Sequence, residues 1–532
     1  MTPRQRWTLV ATIIGSGAVF LDGTVVNVAL PRIGRELPSS LFGVLEGQTY
    51  VLSGYLAVLA ALLILAGALS DHFGRRRVYA IGLASFAATS ALCGLAPTLE
   101  WLVVFRVLQG AAGALLVPGA LSIITQTFQV GTERGRAFGI WAAATSGLGL
   151  LGPLVGGLLV DTIGWRVAFL INVPVLAFAL WVVLRHVAES REEGARRFDW
   201  LGSIVAALAV GGLSFGLIRG SERDWQDTLS WVAIAVGLLA LIAFPILMSR
   251  RRDPLVPLSL FRARAFATIN LATFCIYGAL YVTFSFQGIL LQNVLGYTAL
   301  AAGAVGIPVG ICLMLLSTRI GAAAGRIGAR PFLVAGPLLM AAGLLWFARL
   351  PVDSDPWLAA VTDPATFVPP VDVLIDILPS ILLFGFGISC VVAPLTNTLM
   401  GSIPERLSGL GSAINNAIAR VGQPLIGAVI FIAISSTFYA TLGRLAPELD
   451  VHSAPVRSAF SPLNPPQASA SPDQVAAAKH ASIDAFHQSM LVGAGLLAIG
   501  AAVSWFGLRG ENSARDVAGK ATRTAAPAGA TD

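Results

Sequence analysis

Fourteen apolar runs of about twenty residues each follow one another along the 532-residue chain, separated by charged or Pro/Gly-rich breaks. A helix of about 20 apolar residues crosses a bilayer core of about 30 Å, and it satisfies its own backbone where no water can. The runs fall at roughly 8–30, 48–69, 78–96, 100–124, 137–160, 166–185, 201–219, 229–249, 266–290, 299–319, 331–349, 374–399, 409–436 and 484–508. With 56% hydrophobic and only 12% charged residues, the chain cannot cover so much apolar side chain in water, which excludes a soluble enzyme. The reading is an all-α polytopic membrane protein.

The charges assign an orientation. With both termini in the cytoplasm, 24 of the 35 Lys/Arg fall on the inner side and 9 on the outer, while Arg106 and Arg420 lie inside spans. The excess of positive charge on one side predicts that orientation, and it accounts for the net charge of +7 without invoking nucleic acid. The first run contains Asp22 and is followed by no small-residue cleavage site, so it reads as an uncleaved helix. Cys93, Cys275, Cys312 and Cys390 all lie in apolar runs with no CxxC pair, and read as small core filler. Lys479 and Lys520 are the only lysines, and neither follows a GxxxxG loop, so no Walker-type ATP site is present in the sequence. The outer segments 350–373 and 437–483 are not spans; the second, containing SPLNPPQASASP, and the tail from Gly510 are expected to lack fixed structure.

The chain repeats itself. GALSDHFGRR (Gly67–Arg76) and GAAAGRIGAR (Gly321–Arg330) share Gly, Ala, Gly and Arg at the same offsets, and PLVGG (Pro153–Gly157) is echoed by PLIGA (Pro424–Ala428). Both matches pair spans 1–6 with spans 9–14 and leave spans 7 and 8 as an insertion. The domains expected are a six-helix half over 1–186, two inserted helices over 187–250, a second six-helix half over 251–509, and a disordered cytoplasmic tail over 510–532. Repeated halves with a site between them are the architecture of alternating-access transporters.

Five motifs in order carry a family resemblance. LDGTVVNVALP (Leu21–Pro31), GALSDHFGRRRV (Gly67–Val78), LVVFRVLQGAAGA (Leu102–Ala114), GLGLLGPLVGG (Gly147–Gly157) and WRVAFLINVP (Trp165–Pro174) together resemble the fourteen-span drug:proton antiporter branch of the major facilitator superfamily. The resemblance implies a major facilitator fold of fourteen transmembrane helices and proton-coupled export.

Asp22 lies near mid-membrane, where a carboxylate is expensive and readily takes up a proton. It is expected to be the principal proton carrier, facing two aqueous compartments in turn as the halves rock. The plainer alternative is an ion pair tying two helices together. Arg106, which keeps its charge, would tune proton release if the two side chains meet; the alternative is an arginine bonded to backbone carbonyls. Gly67 and Gly74 would permit close approach and a sharp turn beside Arg75, Arg76 and Arg77. The resemblance implies that Asp71 latches the inner gate against the start of span 13, around 408–411. Gly152, Pro153, Gly156 and Gly157 are expected to give span 5 a smooth face against the opposite half, or simply tight packing.

Candidate cavity residues are Asn27, Gln109, Phe284, Gln287, Asn397, Asn416 and Arg420. The second half has no acid at mid-span depth, which weighs against dications. His72, His186, His452, His480 and His487 fall in or near loops, so no metal site is expected. The function expected is proton-coupled efflux of small amphipathic or cationic compounds, needing no cofactor beyond the proton gradient, by a monomer in the cell membrane. A dedicated exporter of one lipid, siderophore, peptide or antibiotic is the alternative on the same fold. A membrane-embedded enzyme would need clustered His/Asp/Ser chemistry at one depth, and the sequence offers none.

Overall fold

The computed structural model describes residues 1–128, 131–191, 199–252, 254–404 and 407–509. Each apolar run becomes a helix long enough to cross a bilayer, fourteen among the described residues. We number them α1 (Pro3–Glu36), α2 (Val44–Phe73), α3 (Arg75–Gly94), α4 (Leu99–Thr127), α5 (Gly131–Thr162), α6 (Asn172–His186) and α7 (Trp200–Glu222). The remainder are α8 (Thr228–Arg250), α9 (Arg264–Asn293), α10 (Ile307–Ile327), α11 (Arg330–Phe347), α12 (Leu378–Gly401), α13 (Ser408–Leu445) and α14 (Pro472–Gly507). Short turns of helix, Trp165–Leu170 and Ala299–Ala304, precede α6 and α10, and a π-helical turn at Val373–Ile377 leads into α12.

Two groups of helices pack internally. α1 lies along α4, α5 and α6, α2 along α4, and α3 along α4 and α6. Likewise α9 packs on α13 and α14, α11 on α12 and α14, and α10 on α12. The groups meet where α2 lies against α13, α5 against Ala299–Ala304, and α1 against α9. The inserted α7 touches both α2 and α13, whereas α8 packs mainly on α7. Large apolar side chains such as Trp231, Leu239, Ile242, Met314 and Leu345 face outward, as a surface solvated by lipid requires.

The two matched turns share a backbone conformation. Gly74 and Gly328, the matched glycines, take the same left-handed conformation at the same turn (φ 105° and 93°). An L-residue with a side chain is strained there. Gly67 behaves otherwise: a Cβ at that position would sit 4.0 Å from Pro118, an ordinary contact, so close approach does not require glycine there.

The segment 437–483 departs from the sequence reading. α13 runs on to Leu445, a short helix covers Ala454–Ala459, and α14 starts at Pro472 with Ser471 and Gln474 forming a capping box. Between them Phe460, Leu463 and Asn464 are buried, and the Tyr439 hydroxyl donates to the Phe460 carbonyl at 3.1 Å. The Pro/Ser-rich composition marks helix boundaries here, and the few apolar residues between them anchor the fold. The early start of α14 also puts His487 inside a helix, with its Nε2 2.9 Å from the Leu350 carbonyl. The tail 510–532 lies outside the described residues.

α7 and α8 meet through glycine. A Cβ on Gly237 would stand 2.6 Å from the Leu213 nitrogen, and one on Gly216 2.8 Å from the Ile234 nitrogen, whereas Gly211 faces open space. Gly237→Val should therefore lower Tm in detergent by an overpacking cost of about 1–3 kcal/mol. Gly211→Val, on the same hairpin, should leave thermal unfolding near wild type.

Candidate functional site

The first half closes around two charges. Asp22 from α1 and Arg106 from α4 have fully buried side chains, and Arg106 Nη1 donates to Asp22 Oδ2 at 2.5 Å. Gln109, one helical turn beyond Arg106, donates to Asp22 Oδ1 at 3.1 Å and accepts from Arg106 Nη1 at 2.8 Å. Arg106 Nε donates to the Val51 carbonyl of α2 at 3.1 Å, and its guanidinium lies over the Tyr55 ring, 4.1 Å from the centroid. Gln109 Nε2 also donates to Ser90 Oγ at 3.2 Å, and Ser90 accepts from Asn172 at 3.0 Å. Four helices and the start of α6 thus converge on one carboxylate. Both of its oxygens are used.

Such a pair is held by geometry. Two charges taken out of water need close contact and further hydrogen bonds to offset desolvation, and the glutamine and the backbone carbonyl supply them. Arg106 Nη2 is buried with no partner among the described residues, so the cation retains one free donor. In this state Asp22 faces neither compartment, being only 1% exposed. Its chain neighbour Gly23 borders open space, with nothing within 4 Å of where a Cβ would lie. The alternative in which Arg106 bonds only to carbonyls is set aside by this geometry. Ser90, Asn172, Tyr55 and Cys93 complete the network and did not stand out in the sequence; a polar residue within an apolar run was the available signal.

Hydrogen bonds tie the halves together at the arginine-poor end. Gln292 Nε2 of α9 donates to the Val28 carbonyl of α1 at 3.1 Å, and Ser285 Oγ donates to Asn27 Oδ1 at 3.1 Å. The Asp161 carboxylate, at the end of α5, accepts from the backbone nitrogens of Ala299 at 3.2 Å and Leu300 at 2.7 Å. Asp161 was missed in the sequence because it looks like any loop-side acid; its partners are main-chain groups at a helix N-terminus. All of these links lie at the arginine-poor end. Toward the other end Gly135, Gly139 and Gly147 of α5 border open space.

The small face of α5 is divided between two neighbours. A Cβ on Gly152 would collide with the Thr24 hydroxyl of α1 in the same half, and one on Gly156 would stand 3.0 Å from the Val25 side chain. Gly157 instead lies against the opposite half, where a Cβ would stand 2.7 Å from the Leu300 Cα, and Gly303 sits against the Pro153 main chain. Only part of the motif seals the two halves.

The loop between α2 and α3 is held within the first half. The Glu189 carboxylate, beyond α6, accepts from the backbone nitrogens of Arg76 at 3.1 Å and Arg77 at 3.2 Å. Arg75 N donates to the Ser190 carbonyl at 3.0 Å, and Arg76 Nη2 to the Leu184 carbonyl at 2.6 Å. The Asp71 side chain and those at the first two positions of α13 lie outside the described residues, and with them the latch expected there.

The cavity candidates scatter. Gln109 is committed to the Asp22 network, and Asn27 to the closed end. Phe284 packs edge-on to Phe384 at 5.7 Å, and Gln287 is buried. Asn397 and Asn416 are exposed on α12 and α13. Arg420 lies 5.6 Å over the Phe20 ring, and its Nε is buried with no hydrogen-bond partner among the described residues.

Arg106→Gln should leave the Asp22 carboxylate buried and uncompensated, at a cost of about 3–5 kcal/mol, read as a fall in Tm. Adding Asp22→Asn should restore part of that loss, so that the double variant is more stable than the sum of the singles requires. Asp161→Ala should weaken the closed end, read as faster labelling of Ser285→Cys by a thiol reagent added on the arginine-poor side.

Known proteins place this geometry in a family. The chain matches the Major Facilitator Superfamily over residues 12–427. It is 32% identical to the multidrug resistance protein Stp of Mycobacterium tuberculosis, over 95% of this chain and 92% of that one. It is 33% identical to a tetracenomycin C resistance and export protein of Streptomyces glaucescens, over 81% of this chain and 76% of the other. Among solved structures, a bacterial homolog of the human lysosomal transporter Spinster, inward-facing and unoccupied, superposes with a TM-score of 0.62 at 18% identity, covering 96% of this chain and 98% of that one. This chain is a member of the Major Facilitator Superfamily.

Proposed function

We propose that this protein is a proton-coupled exporter of small amphipathic or cationic compounds, working by alternating access in the cell membrane with both termini in the cytoplasm. The observation that carries the reading is the sealed Asp22–Arg106 pair inside one half of a bundle whose halves are tied together at the arginine-poor end. The excess of arginine at the other end supports a cytoplasmic location for that end. The state described above is then closed to the outside. Relatives named for multidrug and antibiotic resistance support export over uptake.

In this reading Asp22 is the proton carrier. Protonation removes its charge and with it the Coulomb attraction that holds Arg106 at 2.5 Å. Arg106 then keeps the Val51 carbonyl and Gln109, and α1 is free to shift against α4. The coupling is a competition in which the guanidinium and the proton claim the same carboxylate, so only one conformation favours each occupant. One elementary charge moved across 100 mV is worth about 2.3 kcal/mol, enough to bias such a two-state equilibrium.

Arg420 beside Phe20, with no acid at that depth in the second half, adds fixed positive charge next to an aromatic surface. That combination disfavours dications and suits lipophilic monocations and neutral amphiphiles. The protein acts as a monomer, without cofactor and with no catalytic step.

The test is efflux of several dyes from proteoliposomes under an imposed pH gradient. Wild type should extrude them with the gradient and Asp22→Asn should not, while keeping a cooperative unfolding transition. Equal dye movement with and without the gradient would overturn proton coupling.

A further inference from the structure

A second pair of buried acids lies far from Asp22, at the arginine-poor end. Glu46, in the first turn of α2, is fully buried with both oxygens engaged. Its Oε2 accepts from Gly43 N at 3.0 Å, and its Oε1 accepts from the Tyr50 hydroxyl at 3.1 Å and lies 3.6 Å from Arg219 Nη1. Both of its oxygens thus have partners.

Glu222, the last residue of α7, is treated differently. It is 4% exposed, and its Oε2 is buried with no hydrogen-bond partner among the described residues. Its carboxyl presses on the other side of Gly43, where a Cβ would stand 2.7 Å from the Glu222 Cδ. The basic groups nearby are spent elsewhere. Arg457 donates to the backbone carbonyls of Ser221 and Glu222 and to Asp224 Oδ1, each at 3.0 Å, with its guanidinium over the Tyr439 ring. Arg223 Nη2 donates to the Leu41 carbonyl at 2.9 Å, Arg219 Nε pairs with Asp227, and His452 pairs with Asp224. A carboxylate in that position would be an uncompensated buried charge beside the charge of Glu46, costing several kcal/mol. A neutral carboxyl there costs only an unmade hydrogen bond.

The place matters as much as the charge. Glu222 is enclosed by the link from α1 to α2, by α7, and by the segment between α13 and α14. The same segment is tied to α2 by Leu45 N donating to Ser461 Oγ at 3.3 Å, and by Gln48 and Asn464, which exchange hydrogen bonds at 3.3 Å and 3.2 Å. Separation of α2 from that segment lets water reach Glu222, where a carboxylate is stable.

We propose that Glu222 is a second proton-binding group, loaded while the arginine-poor end is closed and emptied when that end opens. It rests on the alternating-access reading above only for its transport meaning: a proton taken from the outside at Glu222 favours closure there, ahead of any transfer at Asp22.

The test is thermal unfolding of the purified full-length protein in detergent from about pH 5 to about pH 9, above the ordinary glutamate range near 4.3. A group neutral in the folded state and ionised in the unfolded one contributes stability that is lost as pH rises. Wild-type Tm should fall with pH more steeply than that of Glu222→Gln, the two agreeing at the acid end and the variant a few degrees higher at the alkaline end. Glu46→Gln should lower Tm at every pH, because an amide keeps only one of the two oxygens that accept from Gly43 N and the Tyr50 hydroxyl. Parallel curves for wild type and Glu222→Gln would overturn the proposal. Should Glu222→Gln fail to purify, labelling of Ser285→Cys in membranes gives the same reading: it should quicken with external pH more steeply when Glu222 is present than in the Glu222→Gln background, where only the thiol's own ionisation remains, and a pH response unchanged by that substitution would overturn the proposal. Neither measurement uses efflux, so absence of proton-driven transport at Asp22 would leave the Glu222 result standing, and the reverse.

Discussion

A charge held away from water must be matched before the helices around it can close, and the Asp22–Arg106 pair sets the terms for the first half. One guanidinium satisfies the α1 carboxylate, the α2 main chain and an aromatic face at once, so α1, α2 and α4 are fixed relative to one another by a single side chain. Gln109 and Ser90 then extend the network to α3 and the start of α6. Small residues let these helices approach: Gly110 of α4 lies against the Tyr55 main chain, and Gly156 of α5 against Val25. In lipid there is little hydrophobic drive between helices, so such close packing and buried hydrogen bonds carry the association.

The two halves meet on different terms. At the arginine-poor end the contacts are few and mostly use main-chain groups: Asp161 on two backbone nitrogens, Gln292 on a carbonyl, and Gly157 against Leu300. Each is short, yet among the described residues none buries a matched ion pair between halves. An interface built this way opens without stranding a charge, as a gate requires, whereas the Asp22 network resists opening because half of a buried pair is costly. Rigid halves and a separable seam follow from that difference. The inserted α7 lies across the seam, touching α2 and α13.

The sequence made much of this legible. The lengths of the apolar runs gave the number of spans, because bilayer thickness fixes helix length and a lone strand or loop cannot satisfy its backbone in hydrocarbon. The repeated GxxxxxxG turn gave the pairing of the halves, and Gly74 and Gly328 adopt the same backbone at it. Asp22 and Arg106 stood out because a charge inside an apolar run is rare. Asp161, Glu189 and Glu222 did not: they lie at span ends, where acids are common, and what distinguishes them is a partner, or the lack of one, far along the chain.

What the chain determines by itself is local: how many helices, where they turn, and which charges cannot remain unmatched. What only the tertiary structure decides is which groups meet across helices and at which end the halves touch. A run of residues reports its own hydropathy and period, but a hydrogen bond between residue 161 and residue 300, or an oxygen left without one at residue 222, depends on how rigid helices settle against one another after each has formed.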